Sequence, residues 1–319
     1  MNQVYLGVDI GGTKIEVVTL ELTFDTHVYK IIDRKRKATD RHLGYKHIIE
    51  VIASLIEESL SHNQLDLTKI KSIGLGLPGT IDPETTLMLN GNTEVLIEKP
   101  VILDLRERLK YSGTITIDND ANLFALAEVY WGAGLEFAKE SGRSAKTHQA
   151  IGLILGTGTG GGIILNGNIL NGRHGGGAEV GHTTLHNNGI DCYCGQKGCA
   201  EQYLSGPGIE KNYFLLSGKK LNSSEIFSEA GKGEAQSLKI VNNYKKDLTL
   251  FLTNLTNIFD PDYFVLGGGV SNQKMIYENL ADLLYSQTFI KKARPKIYQH
   301  HIGDSAGVIG AALKSFVEL

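Results

Sequence analysis

Apolar positions along this chain change their spacing several times, and each change marks an element. In Val4-Tyr5-Leu6-Gly7-Val8-Asp9-Ile10 and Ile15-Glu16-Val17-Val18, β-branched and apolar runs flank Gly11-Gly12, the wording of a hairpin. The same order of strand, glycine-rich turn and strand returns over residues 151–165. Two such hairpins far apart point to a duplicated architecture, with one copy opening each lobe. Between them Ile48, Ile49, Ile52, Leu55, Ile56 and Leu60 recur at helical spacing, and Lys71-Ser-Ile-Gly-Leu-Gly-Leu77 before Pro78-Gly79 reads as a buried strand ending in a turn. Thr114-Ile-Thr-Ile117 is a further strand. It runs into Asp118-Asn119-Asp120-Ala121-Asn122 and then a helix that stops near Gly132. Leu248, Leu252, Leu255 and Ile258 mark one face of a long helix, followed by the strand Tyr263-Phe-Val-Leu266, the triplet Gly267-Gly268-Gly269 and a last helix from about 305 to 316. Strands alternating with helices predict an α/β fold, with the hairpins making part of each sheet antiparallel.

The 319 residues, 41% hydrophobic and 21% charged, suffice for two packed cores, so two domains are expected. A net charge of -3 without a basic stripe lacks the footprint of a nucleic-acid binder. No apolar stretch approaches the roughly 18 residues of a spanning helix, and the N-terminus reads directly as a strand rather than a signal peptide. A cytoplasmic location is the expectation, and it keeps thiols reduced.

That compartment gives meaning to the three cysteines, Cys192, Cys194 and Cys199, which lie in one C-x-C-x4-C run with His182 upstream. Three thiolates and one imidazole have the count and chemistry of a closed tetrahedral zinc site. His186 reads as an ordinary solvated histidine, since four ligands are already available. Glu179 and Glu201 flank the segment, where they suit bidentate recognition of vicinal hydroxyls on a polar substrate.

In Asp9-Ile10-Gly11-Gly12-Thr13-Lys14, glycine leaves backbone amides open to phosphate oxygens, and Asp9 could hold Mg²⁺; a purely structural Gly-Gly turn is the plainer alternative. Gly156-Thr157-Gly158-Thr159-Gly160-Gly161-Gly162 has more glycine than a turn needs and two hydroxyls able to donate to phosphate. Neither segment is a P-loop or a Rossmann fingerprint, which argues against an oxidoreductase. Gly267-Gly268-Gly269 is a third place where bare backbone can meet a flat or anionic ligand, or a crowded turn. Asp120, at a strand-to-helix junction, could take the proton of an attacking hydroxyl, with Asn119 orienting it; helix capping is the competing reading.

Taken together, these segments resemble the ROK family of sugar kinases and sugar-responsive repressors, within the actin-like ATPase superfamily. The resemblance rests on Asp9-Ile-Gly-Gly-Thr-Lys14, Pro78-Gly79, Asn119-Asp-Ala-Asn122, Leu155-Gly-Thr-Gly-Thr-Gly-Gly-Gly162, Glu179-Val-Gly-His182, Cys192-Tyr-Cys-Gly-Gln-Lys-Gly-Cys-Ala-Glu201 and Leu266-Gly-Gly-Gly269, in that order. It implies a two-lobed actin-like ATPase (ribonuclease H-like) fold with mixed sheets and a central cleft where ATP and a hexose or N-acetylhexosamine meet. A small lobe of residues 1–119 plus 305–319 and a large lobe of 120–304 carrying the zinc loop are expected.

By the same resemblance Asp120 is the catalytic base, and Gly79, Asn119, Glu179, His182 and Glu201 bind the sugar. One ring nitrogen of His182 goes to zinc and the other to the sugar. Asp9, Gly11, Gly12 and Thr13 form the first phosphate loop with its Mg²⁺, Thr157 and Gly158 the second, and Gly267, Gly268 and Gly269 the adenosine side. The zinc, on His182, Cys192, Cys194 and Cys199, is structural. Family repressors carry a helix-turn-helix before the first hairpin, and the few residues ahead of Val4 leave no room for one. The segment of residues 87–97 lacks the family's usual Asn-Leu-Pro-Trp-like wording where sugar identity is often decided, so several sugars stay open. A homodimer or higher homo-oligomer is expected, with no nucleic-acid or membrane partner. The alternative is a non-catalytic sugar sensor of the same family; a chaperone-type ATPase would explain neither Glu179 nor the cysteine spacing.

Overall fold

A computed structural model describes residues 2–23, 28–91 and 93–317; Met1 of the expected first strand and Asn92 of the 87–97 segment lie outside them. In chain order the elements are β1 (Asn2–Ile10), β2 (Lys14–Thr23), β3 (Val28–Ala38), α1 (Tyr45–His62), β4 (Ile70–Leu77), β5 (Gly79–Ile81), β6 (Met88–Gly91), α2 (Val101–Leu109), β7 (Thr114–Asn119), α3 (Asp120–Trp131) and α4 (Ala133–Ser141). There follow β8 (Gln149–Leu155), β9 (Thr159–Leu165), β10 (Asn168–Ile169), α5 (Glu201–Leu204), α6 (Gly206–Ser217), α7 (Ser223–Gly231), α8 (Ala235–Phe259), β11 (Tyr263–Gly267), α9 (Leu280–Gln287), β12 (Lys296–Gln299) and α10 (Ala306–Val317). Among the described residues no helix is long and apolar enough to cross a membrane.

The chain divides into two compact units, one of Met1–Lys146, Gly167–Gly177 and Ile302–Leu319, the other of Thr147–Asn166 and Ala178–His301. In the first unit the strands run in the order β3-β2-β1-β4-β7. The hairpin pairs β1 with β2 antiparallel, Ile10 facing Ile15, whereas β1-β4 and β4-β7 are parallel. The second unit repeats this scheme. Its hairpin pairs β8 with β9 antiparallel, Leu155 facing Thr159, and β11 joins β8 and β12 in parallel. The duplication expected from the two hairpins is therefore a duplication of sheet topology.

In the first unit α1 buries Ile48, Ile49, Ile52, Leu55, Ile56 and Leu60, the face read from the sequence, into a core shared with Leu6, Val8 and Leu75. Helix α3 is different, because every residue from Ala121 to Trp131 is buried. A helix apolar all round must be covered all round. Its one buried acid, Glu128, is fully enclosed and accepts from the backbone N–H of Ala133 at 3.0 Å and of Ile302 at 2.9 Å. The helix thus goes with the first unit, whereas the sequence reading begins the second lobe at residue 120.

The cover over α3 and the sheet is α10, and glycine sets how close it comes. A Cβ added at Gly7 of β1 would lie 2.1 Å from the carbonyl oxygen of Val308, one at Gly74 of β4 1.7 Å from that of Ala311, and one at Gly310 2.0 Å from that of Leu123. Backbone therefore meets backbone at all three crossings. In the second unit α8, 25 residues long, buries Leu248, Phe251, Leu252 and Leu255 and packs on α6, α7 and α9.

Candidate active site and metal loop

The first unit lines up several expected site residues along one edge of its sheet. Asp9 of β1 is registered with Gly76 of β4, Gly76 with Asp118 of β7, and Leu77 with Asn119. A Cβ on Gly76 would stand 3.0 Å from Leu123 Cδ1 and 3.8 Å from Asp9 Oδ1, so glycine at this position lets the Leu123 side chain of α3 pack onto the strand. Asn119 caps α3: its Oδ1 accepts from the N–H of Ala121 at 2.9 Å and of Asn122 at 3.4 Å. Its Nδ2 donates to the carbonyl of Gly79 at 2.9 Å. The cap is Asn119, and Asp120 is the first residue of the helix, half-buried, with Oδ1 accepting from the Ala121 N–H at 2.8 Å. Gly79 is crowded from its other side, since an added Cβ would lie 2.1 Å from the carbonyl oxygen of Asn90 on the paired strand β6. The 87–97 segment is thereby packed directly onto the residue that receives Asn119.

Asp9 sits opposite Glu16 in the hairpin. Glu16 is buried and held by Arg34 Nε at 2.5 Å and Arg36 Nε at 2.7 Å, while Lys14 is half-exposed and 4.0 Å away, as a solvated strand residue would be. Burial of the Asp9 carboxyl, then the like charge of Glu16, push it up to about 6. Gly11 and Gly12 do not adopt a left-handed backbone, so the turn does not need glycine for its handedness. The Gly11 N–H donates to the Lys14 carbonyl at 3.0 Å, whereas Gly12 is uncrowded: the nearest atoms to a Cβ there are 3.8 Å away, on Arg41 and Thr93. Thr39 fastens the turn through its N–H to the Thr13 carbonyl at 3.0 Å and its hydroxyl to the Gly11 carbonyl at 2.6 Å.

In the second unit the β8-β9 turn and Glu201 form one piece. Glu201 Oε2 accepts from the Thr159 N–H at 2.9 Å and would lie 2.6 Å from a Cβ on Gly158. Thr157 is exposed at the tip of the turn. The Thr159 hydroxyl is buried and has no hydrogen-bond partner. Gly267 ends β11; Gly268 is left-handed and presses on the Leu155 carbonyl, whereas Gly269 has open space where a side chain would stand. Glu179 is exposed and immediately precedes the single 3-10 turn Val180–His182.

His182, Cys192, Cys194 and Cys199 offer ligand atoms that all lie within 4.8 Å of one another. Cys192 Sγ is 3.7 Å from His182 Nδ1, and Cys194 Sγ 3.6 Å from Cys199 Sγ. Zinc–sulfur bonds of 2.3 Å in a tetrahedron give edges of about 3.8 Å, so the donor set fits that ion. Burial, then hydrogen bonding to the two neighbouring thiols, push the Cys199 thiol up to about 12, while the Gln196 backbone N–H lowers that of Cys194. Crowded thiols of this kind become thiolates on a cation. His186 stands apart, bonded through Nε2 to Asp247 at 2.8 Å.

Three participants carry no role in the sequence reading. Tyr193, the residue between the first two cysteines, brings its hydroxyl to 3.1 Å from His182 Nε2, the ring nitrogen other than the one beside Cys192. Asp118 and Lys314 form a buried pair at 2.7 Å behind the Asn119-Asp120 turn. A lysine ending the otherwise apolar run of the last helix was the available signal for that pair.

A sequence profile described as ROK family matches residues 5–314. Over 319 aligned residues the chain is 36% identical to an N-acetyl-D-glucosamine kinase of Pectobacterium atrosepticum, with 97% of this chain and 98% of that protein covered. Identity to an N-acetyl-D-glucosamine kinase of Pasteurella multocida is 32%, covering 96% and 97%. Among solved structures, the ROK hexokinase from Thermus thermophilus gives a TM-score of 0.83 at 27% identity, covering 100% of this chain and 99% of that one.

The raised Asp9 has a consequence for stability. Its folded value, about 6, exceeds the unfolded one, so the native state is penalised as pH rises from about 4 through 6. Asp9→Asn should stabilise the ligand-free protein by about 1–3 kcal/mol at pH 7.5 and by little at pH 4.5 in urea unfolding. Equal gains at the two pH values would separate the effect from ionisation.

Proposed function

Because this chain belongs to the ROK family and has the mixed α/β fold of the actin-like ATPases, we propose that it is a sugar kinase transferring the terminal phosphoryl group of ATP to a hydroxyl of N-acetylglucosamine. The observation that best supports this reading is the row of strand ends in the first unit, with Asp9 next to the end of β1 and Asn119-Asp120 joining β7 to α3 on the other side of β4. Ligands gather at the carboxyl ends of parallel strands in open α/β sheets.

In this reading the sugar oxygen attacks the terminal phosphorus as the bond to the departing ADP breaks, and the hydroxyl proton passes to the Asp120 carboxylate. Asn119 and Gly79, tied to each other, orient the sugar at that turn. The amides of Gly12 and Thr13 and those of Thr157 and Gly158 donate to phosphate oxygens, Gly11, whose N–H goes to the Lys14 carbonyl, shapes the turn, and Gly267, Gly268 and the open side of Gly269 take the adenosine. A hard oxygen donor whose charge burial and Glu16 disfavour, Asp9 suits Mg²⁺, which when bound would shield the phosphate charge.

Glu179, His182 and Glu201 in the second unit accept or donate to sugar hydroxyls. With Nδ1 on the metal, the proton of His182 resides on Nε2, and a sugar hydroxyl replaces that of Tyr193 there. Four protein donors leave zinc no open position, so its part is to hold the loop.

Coupled ADP release should show turnover with N-acetylglucosamine well above that with glucose, fructose, mannose or N-acetylmannosamine. Binding without turnover of any of them would favour a non-catalytic sensor. Asp120→Asn should lower kcat by about a thousandfold or more while sugar binding survives, because the shape stays and the proton acceptor goes. Near-normal turnover would remove Asp120 from the role of base. The purified protein should hold about one zinc per chain by atomic absorption, and chelation or Cys194→Ser should weaken sugar binding at least about tenfold by loosening the loop. Unchanged sugar affinity after metal loss would uncouple loop and site.

A further inference from the structure

Lys314 ends the buried stripe of α10 and is only 9% exposed. A lysine so enclosed must have its ammonium compensated. Nζ donates to Asp118 Oδ2 at 2.7 Å and to the Ile117 carbonyl at 3.0 Å. Asp118, itself 4% exposed, spends its other oxygen on the strand-to-helix turn: Oδ1 accepts from the Asn119 N–H at 2.7 Å and from Asn122 Nδ2 at 2.9 Å. Asn119 caps the helix and reaches Gly79, and Asp120 follows it directly. The two oxygens of one carboxylate thus join the last helix of the chain to the backbone that presents Asp120.

We infer that Lys314 and Asp118 are positioning residues for the phosphoryl transfer, a charged brace that fixes the orientation of the Asn119-Asp120 turn; the inference rests on the reading of Asp120 as the base. Charge-assisted hydrogen bonds are roughly twice as strong as neutral ones, so the ammonium on Oδ2 holds the carboxylate in the one orientation that leaves Oδ1 for the turn. An amide at position 118, without the ammonium, can present either end to Asn119. A reacting group displaced by about 1 Å loses about a hundredfold in rate, so the brace acts on kcat rather than on sugar binding.

Lys314→Met leaves a buried carboxylate unpaired and risks the fold, so the double variant Asp118→Asn/Lys314→Met, which removes both charges at similar volume, carries the test. With N-acetylglucosamine and ATP, the double variant should unfold at a temperature near that of the parent, yet show kcat lowered about ten- to a hundredfold with the sugar KM within about threefold. Restoring the carboxylate and a donor together, as Asp118 with Lys314→Gln, should recover part of the lost kcat. A double variant with parental kcat would overturn the inference and mark the pair as structural only. The same follows if kcat falls only in proportion to folded protein, measured by thermal unfolding of the same samples. Asp120→Asn in the same assay separates the two failures. An inactive Asp120→Asn beside a fully active double variant rejects the brace alone, whereas an active Asp120→Asn rejects the base and the brace with it.

Discussion

The first unit is organised by three places where backbone touches backbone. At Gly7, Gly74 and Gly310 any Cβ would lie about 2 Å from a carbonyl oxygen, a separation that real Cβ atoms do not show. A side chain there would push α10 away from the sheet or from α3, and overpacking a core costs on the order of 1–3 kcal/mol or more. The closeness has a second effect. It delivers the end of α10 to the end of β7, where Lys314 meets Asp118, and so fixes the edge of the sheet on which Asp9, Asn119 and Asp120 are arranged.

Carboxylates divide into two kinds across the molecule. Glu16, Glu128 and Asp118 are enclosed and compensated, by guanidinium groups, by two backbone N–H groups, and by an ammonium with two further donors. They hold parts together. Asp9 is different, since burial and the charge of Glu16 raise it toward neutrality. A carboxylate whose charge is disfavoured by burial and by a neighbouring acid suits the approach of a cation, and the cost is carried by the ligand-free protein. Glu201, though less enclosed, also holds parts together: one of its oxygens is fastened to the second glycine turn, which ties an acid of the metal segment to the β8-β9 loop.

Much of this was legible in the sequence because it repeats at short range. Period-2 runs around Gly11-Gly12 and Gly156–162, the 3.6-period face of Ile48 to Leu60 and the Asn119 cap are local patterns, and the structure contains each of them. The four metal-ligand candidates also fall within one short segment, and their donor atoms meet. What stayed hidden lies in long-range partnership. Lys314 and Asp118 are 196 positions apart, and a lysine at the end of an apolar helix ordinarily reads as a solvated tail. Tyr193 occupies the variable position of C-x-C, where no spacing rule foretells a bond to His182. Nor does the sequence separate glycines that turn the chain from glycines that admit a neighbour: Gly7 and Gly74 sit inside strands and serve the second purpose, and Gly11 and Gly12 need no special handedness.

The first unit is also discontinuous, and its covering helix is separated in sequence from β1 and β4 by residues of the second unit. A ribosome releases β1 and β4 well before the helix that fits over Gly7 and Gly74, with residues 178–301 of the second unit in between. Domains ordinarily fold as they emerge. Here the second unit, residues 147–166 and 178–301, can assemble while the sheet of the first unit waits with one face bare. Until α10 emerges a nascent chain therefore carries an apolar sheet face in need of a chaperone, and loss of that helix would reach back to β1 and β4.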